Sequence, residues 1–234
     1  MPSHPLDNPV WESLTHHDAS VARRVGHAAA YDAELSPFVG ASADAGIDPW
    51  AELAALLGPG ARALVAGLPL SPPSDWRVVL EIAGVQMVGD AVEPLRDPEA
   101  VALGAEHADQ MAELTALTQP GPWERRTYEL GGYQGLFHEG RLIAMAGERM
   151  HPPGFTEVSA VCTRAEFRGM GLAARLVRSV SAGIVERGDV PMLHASAANT
   201  GAIALYERLG FTIRRPITFA VHRVPGAAPR PDSA

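Results

Sequence analysis

One stretch, residues 157–187, constrains the fold more than any other part of the sequence, because it reads as a strand, a glycine loop and a helix. Its first part, Val158 to Cys162, is short, apolar and partly β-branched, which is typical of a buried strand. An Arg-Gly-Met-Gly loop follows at 168–171. Beyond the loop, apolar residues recur at the spacing of an amphipathic helix: Leu172, Leu176, Val177, Val180 and Ile184.

The glycine loop has a chemical use at the start of a helix. Two glycines let the backbone approach a ligand closely and turn its amides outward. A helix N-terminus presents unpaired N–H groups and about half a unit of positive charge, which suits phosphate oxygens, and Arg168 adds a cation at the rim. The loop therefore predicts a diphosphate ligand, with a plain tight turn as the alternative.

Two other nucleotide-binding loops do not fit this stretch. The P-loop requires Gly-Lys-Ser/Thr, and the chain contains no lysine. The dinucleotide fingerprint requires a third glycine, which is missing after Gly171.

A second helix stands downstream of the loop. Pro191 to Ala195 is typical of a short strand, and Asn199 then begins a helix that ends at Gly210. Asn199 and Tyr206 are seven residues apart, so they project from nearly the same side of this helix.

Residues 160–177 (AVCTRAEFRGMGLAARLV) and 199–211 (NTGAIALYERLGF) resemble the two central motifs of the GNAT superfamily of acetyl-CoA-dependent N-acetyltransferases. The first is similar to the pyrophosphate-binding motif of that family, Q/R-x-x-G-x-G/A. Glu166 departs from the pattern at its first position, while Gly169 and Gly171 match it. The resemblance covers residues 100–223 approximately.

The resemblance implies an α/β fold with a mixed, twisted central sheet flanked by helices, preceded by a smaller α/β N-terminal domain. We expect a reduced, degenerate GNAT-like domain at 1–96, the acetyltransferase domain at 97–224 and a flexible tail at 225–234. The boundary is placed at residues 91–98, which are polar and contain two prolines. Within these domains the patterns predict helices near 18–25, at 49–57 after Asp48, and at 106–117, and a hairpin of strands at 133–137 and 142–146.

The resemblance also implies acetyl-CoA as cosubstrate and assigns its contacts residue by residue. The backbone of three residues would pair with the pantetheine arm: Val161, Cys162 and Thr163. Six residues would hold the pyrophosphate: Arg168, Gly169, Met170, Gly171, Leu172 and Ala173. Asn199 matches the position that hydrogen-bonds the cofactor arm, although a bare helix cap is the alternative.

Two catalytic residues follow from the same resemblance. Tyr206 matches the tyrosine that protonates the departing thiolate, with packing under its helix as the alternative. Glu157 lies where some members place the general base and would face the cleft, with an exposed carboxylate at a strand end as the alternative. His194 is a second candidate relay, with a hydrogen-bonded core histidine as the favoured alternative.

Composition limits the remaining classes of function. The net charge of −8 argues against nucleic acid as a partner. No apolar run approaches the roughly 20 residues of a membrane span, and the N-terminus lacks signal-peptide features, so we expect a cytoplasmic protein. A single cysteine, Cys162, excludes internal disulfides and is interpreted as a core thiol. The His16–His17 pair lacks partners at metal-ligand spacing, so no metal is expected.

The leading hypothesis is the transfer of an acetyl group to an amine of a small molecule or peptide. A non-catalytic acyl-CoA-binding or regulatory module on the same scaffold is the alternative from another class. A third hypothesis keeps the enzyme but changes the acyl group or the acceptor atom. Acceptor pockets are expected from the loops at 120–126 and 150–155. A homodimer is one option for the assembly, and the N-terminal domain could take the place of the second copy.

Overall fold

Eleven β-strands and five α-helices form within residues 4–44, 48–68 and 71–226, which are those that the computed structural model describes. The helices are α1 (Pro9–Thr15), α2 (Pro49–Leu57), α3 (Ala108–Thr118), α4 (Leu172–Glu186) and α5 (Thr200–Arg208). The strands are β1 (Ala22–Val25), β2 (Ala28–Tyr31), β3 (Val39–Ala41), β4 (Arg62–Ala66), β5 (Arg77–Val88), β6 (Val101–Ala102), β7 (Gln134–His138), β8 (Arg141–Glu148), β9 (Phe155–Thr163), β10 (Val190–Ser196) and β11 (Thr212–Arg223). Most of the predicted tail, 227–234, lies outside the described residues.

A mixed sheet of eight strands forms the centre of the fold, in the order β4-β11-β5-β10-β9-β8-β7-β6. Its neighbours are antiparallel except for β9 and β10, which run parallel. A parallel pair needs a crossover connection, and α4 supplies it. The predicted mixed sheet flanked by helices is confirmed.

A smaller sheet, β1-β2-β3, forms an N-terminal unit with α1 and α2. The chain between this unit and residue 96 contributes β4 and β5 to the central sheet, where β5 lies between β10 and β11. The central sheet is thus built from strands on both sides of residue 96. The domain division at that residue stays a prediction, as does the GNAT-like origin of the N-terminal part.

Helices α4 and α3 cover opposite faces of the central sheet. The apolar stripe of α4 is confirmed, because Leu176, Val177, Val180 and Ile184 are fully buried. Each such side chain contributes roughly 1.5–3 kcal/mol when it leaves water. On the other face, Met111 and Leu114 of α3 pack with residues of β8 and β9. Among the described residues, no helix combines the length and apolar composition that crossing a bilayer requires.

Three predictions of local structure can be compared with the fold, and two of them are confirmed. The cap at Asp48 is confirmed, since its Oδ1 accepts from the amide of Trp50 at 3.1 Å. The hairpin between β7 and β8 is confirmed, and its turn residues Glu139 and Gly140 both have positive φ, as a type I′ turn requires. The helix expected near 18–25 is wrong. A short 3-10 helix ends at Val21, and β1 then pairs with β2 across a turn at Gly26.

Candidate active site

Strands β9 and β10 separate after a short stretch of parallel pairing, and this separation is the centre of the candidate site. They pair only from Val190 with Phe155 to Met192 with Glu157, although both strands continue. Beyond that point β9 stays on β8 and β10 stays on β5. Within the described residues, the two arms, 158–163 and 193–196, have no strand partner on the sides that face each other. We call this opening the fork. Its free backbone groups could pair with an extended ligand.

A bulge in β9 lies inside the fork. Ala160 has a φ of 51°, and the pairing with β8 gains one extra residue on β9 between Ser159 and Cys162. The bulge changes which face the side chains take. Val158 packs in the core with α4, whereas Ala160 and Cys162 pack with α3. The left-handed conformation costs an alanine roughly 1–2 kcal/mol, and the apolar run gave no sequence signal for it.

The glycine loop follows the open arm of β9 directly. Gly169 and Gly171 have φ values of 80° and 77°, and a Cβ placed on either would meet no described atom within 4 Å. These glycines are therefore required by backbone conformation and not by crowding. Helix α4 begins at Leu172 without a side-chain cap, so its first amides are available to an anion. The loop is exposed, as is Met170 between the two glycines.

The predicted cofactor residues follow one another from the open arm of β9 through the loop to the start of α4, but they differ in exposure. Arg168 is exposed, and its Nε lies 3.4 Å from the carbonyl oxygen of Thr163, a long contact that leaves the guanidinium free to reach an anion. Leu172 is buried under the loop and Ala173 is half-buried. Cys162 is buried, which raises the pKa of its thiol to about 11. Its contribution to a cofactor site would therefore come from its backbone.

Helix α5 brings Asn199 and Tyr206 to the other side of the fork. Asn199 is exposed and caps the helix, since its Oδ1 accepts from the amide of Ala202 at 3.2 Å. Tyr206 is buried in the same core cluster as Val158 and Leu193, the first residues of the two arms. Burial raises the pKa of Tyr206 to about 12. The phenol is therefore protonated at neutral pH and can act as a donor.

Glu157 lies at the base of the fork, and its side chain is completely buried. The Arg149 guanidinium donates to both carboxylate oxygens, at 2.7 and 2.9 Å, and Nδ1 of His194 lies 2.8 Å from Oε1. Burial alone would raise the pKa of Glu157, but Arg149 and His194 outweigh it and lower the pKa to about 2. The expectation that this carboxylate faces the cleft or the surface is wrong. Its face of the sheet is covered by the N-terminal unit, whose Phe38 ring stacks on the guanidinium of Arg149.

A chain of hydrogen bonds continues from His194 to the N-terminal segment. Nε2 of His194 lies 3.1 Å from Nε2 of Gln86, whose amide also contacts the carbonyl oxygen of Leu6 and the guanidinium of Arg214. Arg214 in turn donates to Asp7 at 2.6 Å. The sequence analysis did not predict these hydrogen bonds, because their members lie up to 208 positions apart and none of these contacts follows from a motif.

Comparison with known proteins agrees with this geometry. The sequence model of the FR47-like protein family matches residues 133–220. A crystal structure from Novosphingobium aromaticivorans, described as an acetyltransferase of the GNAT family, is 41% identical. The match has a TM-score of 0.87 and covers 97% of this chain and 100% of that one. The chain belongs to the GNAT family.

Other GNAT relatives are more distant. A GCN5-related N-acetyltransferase from Kribbella flavida shares the fold at 18% identity, with a TM-score of 0.58 over 93% of this chain and 95% of that one. A mycothiol acetyltransferase from Thermobispora bispora is 33% identical over 135 residues, or 51% of this chain. The match spans 44% of that relative, less than half of its length.

This GNAT protein also holds a histidine cluster at the edge of the N-terminal unit. His17, Asp18 and His151 each place one potential ligand atom within 4.8 Å of the others. Burial alone would lower the pKa of His151, but Asp18 and Glu148 outweigh it and raise the pKa to about 9. His151 is therefore a cation between two carboxylates, and the cluster has the chemistry of an ion-pair network.

Proposed function

We propose that this GNAT-family protein transfers an acetyl group from acetyl-CoA to an amine, which attacks the thioester directly. The observation that carries the proposal is the fork between β9 and β10, which opens directly beside the glycine loop. An extended arm lying along 158–163 would place a diphosphate at the loop, because the open arm of β9 leads into it. The free amides at the start of α4 suit that diphosphate.

The proposed cofactor contacts follow this path. The backbone of Val161, Cys162 and Thr163 would bind the pantetheine arm. The loop and first turn would hold the pyrophosphate through Arg168, Gly169, Met170, Gly171, Leu172 and Ala173. Asn199, at the exposed start of α5, would reach the arm from the other side of the fork.

Tyr206 is proposed to protonate the departing thiolate. Its hydroxyl is a neutral donor at any physiological pH, because burial raises its pKa to about 12. It belongs to the core cluster that lines the beginning of both arms. As the C–N bond forms and the C–S bond breaks, the thiolate would take this proton, and the proton released by the amine nitrogen would restore the phenol.

The base role of Glu157 stays a prediction, and its surroundings favour another contribution. Alkylamines titrate near ~10.4, whereas Arg149 and His194 lower the pKa of Glu157 to about 2, so this carboxylate is a poor acceptor for the proton of an ammonium. We propose instead that the acceptor attacks from its neutral fraction. Positioning against the bound thioester then supplies most of the acceleration, up to roughly 7–11 kcal/mol in favourable cases.

A cavity of about 760 Å³ is proposed to receive the acceptor. It lies between α3, the segment Trp123–Glu129 and Glu34 of the N-terminal part. Trp123 and Tyr128 line this cavity and also pack against the core cluster that contains Ala160, on the face of β9 opposite the glycine loop and α4. Four carboxylates and two arginines line the cavity, which favours a cationic acceptor: Glu34, Asp109, Glu124, Glu129, Arg125 and Arg126.

Calorimetry with acetyl-CoA tests the proposal. Wild type is compared with the double variant Gly169→Glu/Gly171→Glu, in which side chains and negative charge occupy the loop. We then screen the wild-type complex against primary amines for release of the CoA thiol. Binding that the double variant loses, with turnover on an amine, would support the transferase. No binding by the wild type would overturn the proposal.

The same assay separates the alternatives. A non-catalytic acyl-CoA module would bind acetyl-CoA but release no thiol with any amine, and its binding would survive Tyr206→Phe and Glu157→Gln. An enzyme with another acyl group or acceptor atom would bind CoA and turn over only when propionyl-CoA, longer acyl-CoA or alcohols replace the standard substrates.

A further inference from the structure

The hydrogen-bond chain behind the fork fixes the orientation of the Gln86 side chain. Nη1 of Arg214 can only donate, and it lies 2.9 Å from Oε1 of Gln86. The carbonyl oxygen of Leu6 can only accept, and it lies 2.9 Å from Nε2 of Gln86. Both contacts assign the amide oxygen to the side of Arg214 and the amide nitrogen to the other side.

This orientation determines where His194 carries its proton. The amide nitrogen of Gln86 donates to Nε2 of His194 at 3.1 Å, so that ring nitrogen must accept. The ring proton therefore lies on Nδ1, from which it is donated to Oε1 of Glu157 at 2.8 Å. Both ring nitrogens have a defined role, and the ring itself stands edge-on to Phe219.

The hydrogen bond between His194 and Glu157 lies at the point where the fork opens, and this position indicates a function for it. Met192 and Glu157 form the last backbone pair between β10 and β9. His194 is the second residue beyond that pair on β10, so its side chain spans the two strands where backbone pairing ends. We propose that His194 is a positioning residue of the acetyl-CoA site, which sets the gap between the two arms through Glu157. This inference rests on the proposed function.

The N-terminal segment holds the other end of this series of hydrogen bonds and therefore contributes to the same positioning. Leu6 and Asp7 hold Gln86 and Arg214, and these two side chains determine which nitrogen of His194 can donate. The N-terminal segment thus braces the fork from behind the sheet. Its contacts with the C-terminal strands would matter to cofactor binding without touching the cofactor.

Two substitutions of His194 test the inference, because each replaces one ring nitrogen. In His194→Asn the amide nitrogen can stand in for Nδ1 and donate to Glu157, whereas the longer side chain of His194→Gln stands in for Nε2. His194→Ala removes both. His222 provides the control. It is a buried histidine on β11, and its Nδ1 has no partner among the described residues.

The dissociation constant of acetyl-CoA and the two KM values are measured for each folded variant, with thermal unfolding as the check on folding. We expect His194→Asn to bind within about threefold of wild type, and His194→Gln to bind about tenfold more weakly with an unchanged KM for the acceptor. His222→Asn should lower the melting temperature and leave the dissociation constant unchanged. If His194→Ala fails to fold, the comparison of His194→Asn with His194→Gln still tests the inference.

Equal binding by the Asn and Gln variants, or a common loss in both, would overturn the inference. Amide hydrogen exchange of 158–163 and 193–196 without ligand gives a second readout, in which His194→Gln should exchange faster than His194→Asn. Wild-type protein that fails to bind acetyl-CoA would refute the proposed function instead, while a difference in exchange would still be visible. The two failures are therefore distinguishable.

Discussion

The guanidinium of Arg149 donates to both carboxylate oxygens of Glu157, at 2.7 and 2.9 Å, and both side chains are almost completely shielded from water. An ion pair in such a place depends on both partners. Either charge left alone in the interior has no solvent to stabilise it.

Removing one partner should therefore destabilise the fold strongly. We expect Arg149→Met to lower the free energy of unfolding by about 3–5 kcal/mol in urea titrations. The exposed pair of Arg126 and Glu129 is the control, since Arg126→Met should leave the free energy of unfolding almost unchanged. Equal effects at the two sites would contradict this account of the buried pair.

Stability should also depend on pH at both ends of the range. The pKa of Glu157 is lowered to about 2, so its contribution is present above the unfolded value near 4.5 and is lost as pH falls towards 2. The pKa of His151 is raised to about 9, so its contribution is complete below 6.5 and is lost as pH rises through 9. Melting temperatures across this range should show both limbs. His151→Gln should flatten the alkaline limb and also weaken the acid one, because His151 lowers the pKa of Asp18 and Glu148.

Catalysis should follow the ionisation of the acceptor and not that of the protein. Glu157 and Tyr206 have pKa values of about 2 and about 12, so neither titrates near neutrality. We expect kcat/KM to rise roughly tenfold per pH unit below the pKa of the acceptor amine. For two acceptor amines of different pKa, the curves of kcat/KM against pH should be displaced along the pH axis by the difference between the two pKa values. A break at the same pH for both amines would point to a group of the protein instead.

Replacing Tyr206 by Phe should separate chemistry from binding. We expect kcat to fall about 10²–10⁴-fold, the usual range for a general acid, while the dissociation constant of acetyl-CoA stays within about twofold. An acetyl donor with a more acidic thiol leaving group needs less protonation, so it should recover part of the lost rate. An unchanged kcat would assign Tyr206 to packing alone.

The acceptor cavity predicts a preference for acceptors with a second positive charge. Compared with an amino alcohol of the same length, a diamine should have a kcat/KM that is about tenfold higher, because its distal ammonium can approach Asp109 and Glu124. The double variant Asp109→Asn/Glu124→Gln should remove most of this preference. Glu113→Gln is the matched control, since that carboxylate pairs with Arg164 and does not line the cavity. A preference unaffected by the double variant would place the acceptor elsewhere.

What the sequence could predict depended on how local each signal was. The helix after Asp48, the glycine loop and the stripe of α4 rest on spacing within one segment, and the fold places them as expected. The bulge at Ala160 could not be predicted, because in the sequence an alanine with positive φ cannot be distinguished from any other apolar strand residue. The surroundings of Glu157 were also invisible, since Arg149, His194 and the covering Phe38 meet it only through tertiary packing.

The place of β5 in the central sheet has a consequence for where this protein can be cut. Strand β5 pairs with β10 on one side and β11 on the other, although more than a hundred residues separate it from either. A fragment starting at residue 97 would leave both edges of β11 and one edge of β10 unpaired, and it would lose the partner of the fork's second arm. We therefore expect that the segment matched by the family pattern does not fold on its own, since the N-terminal part completes the sheet in which the fork opens.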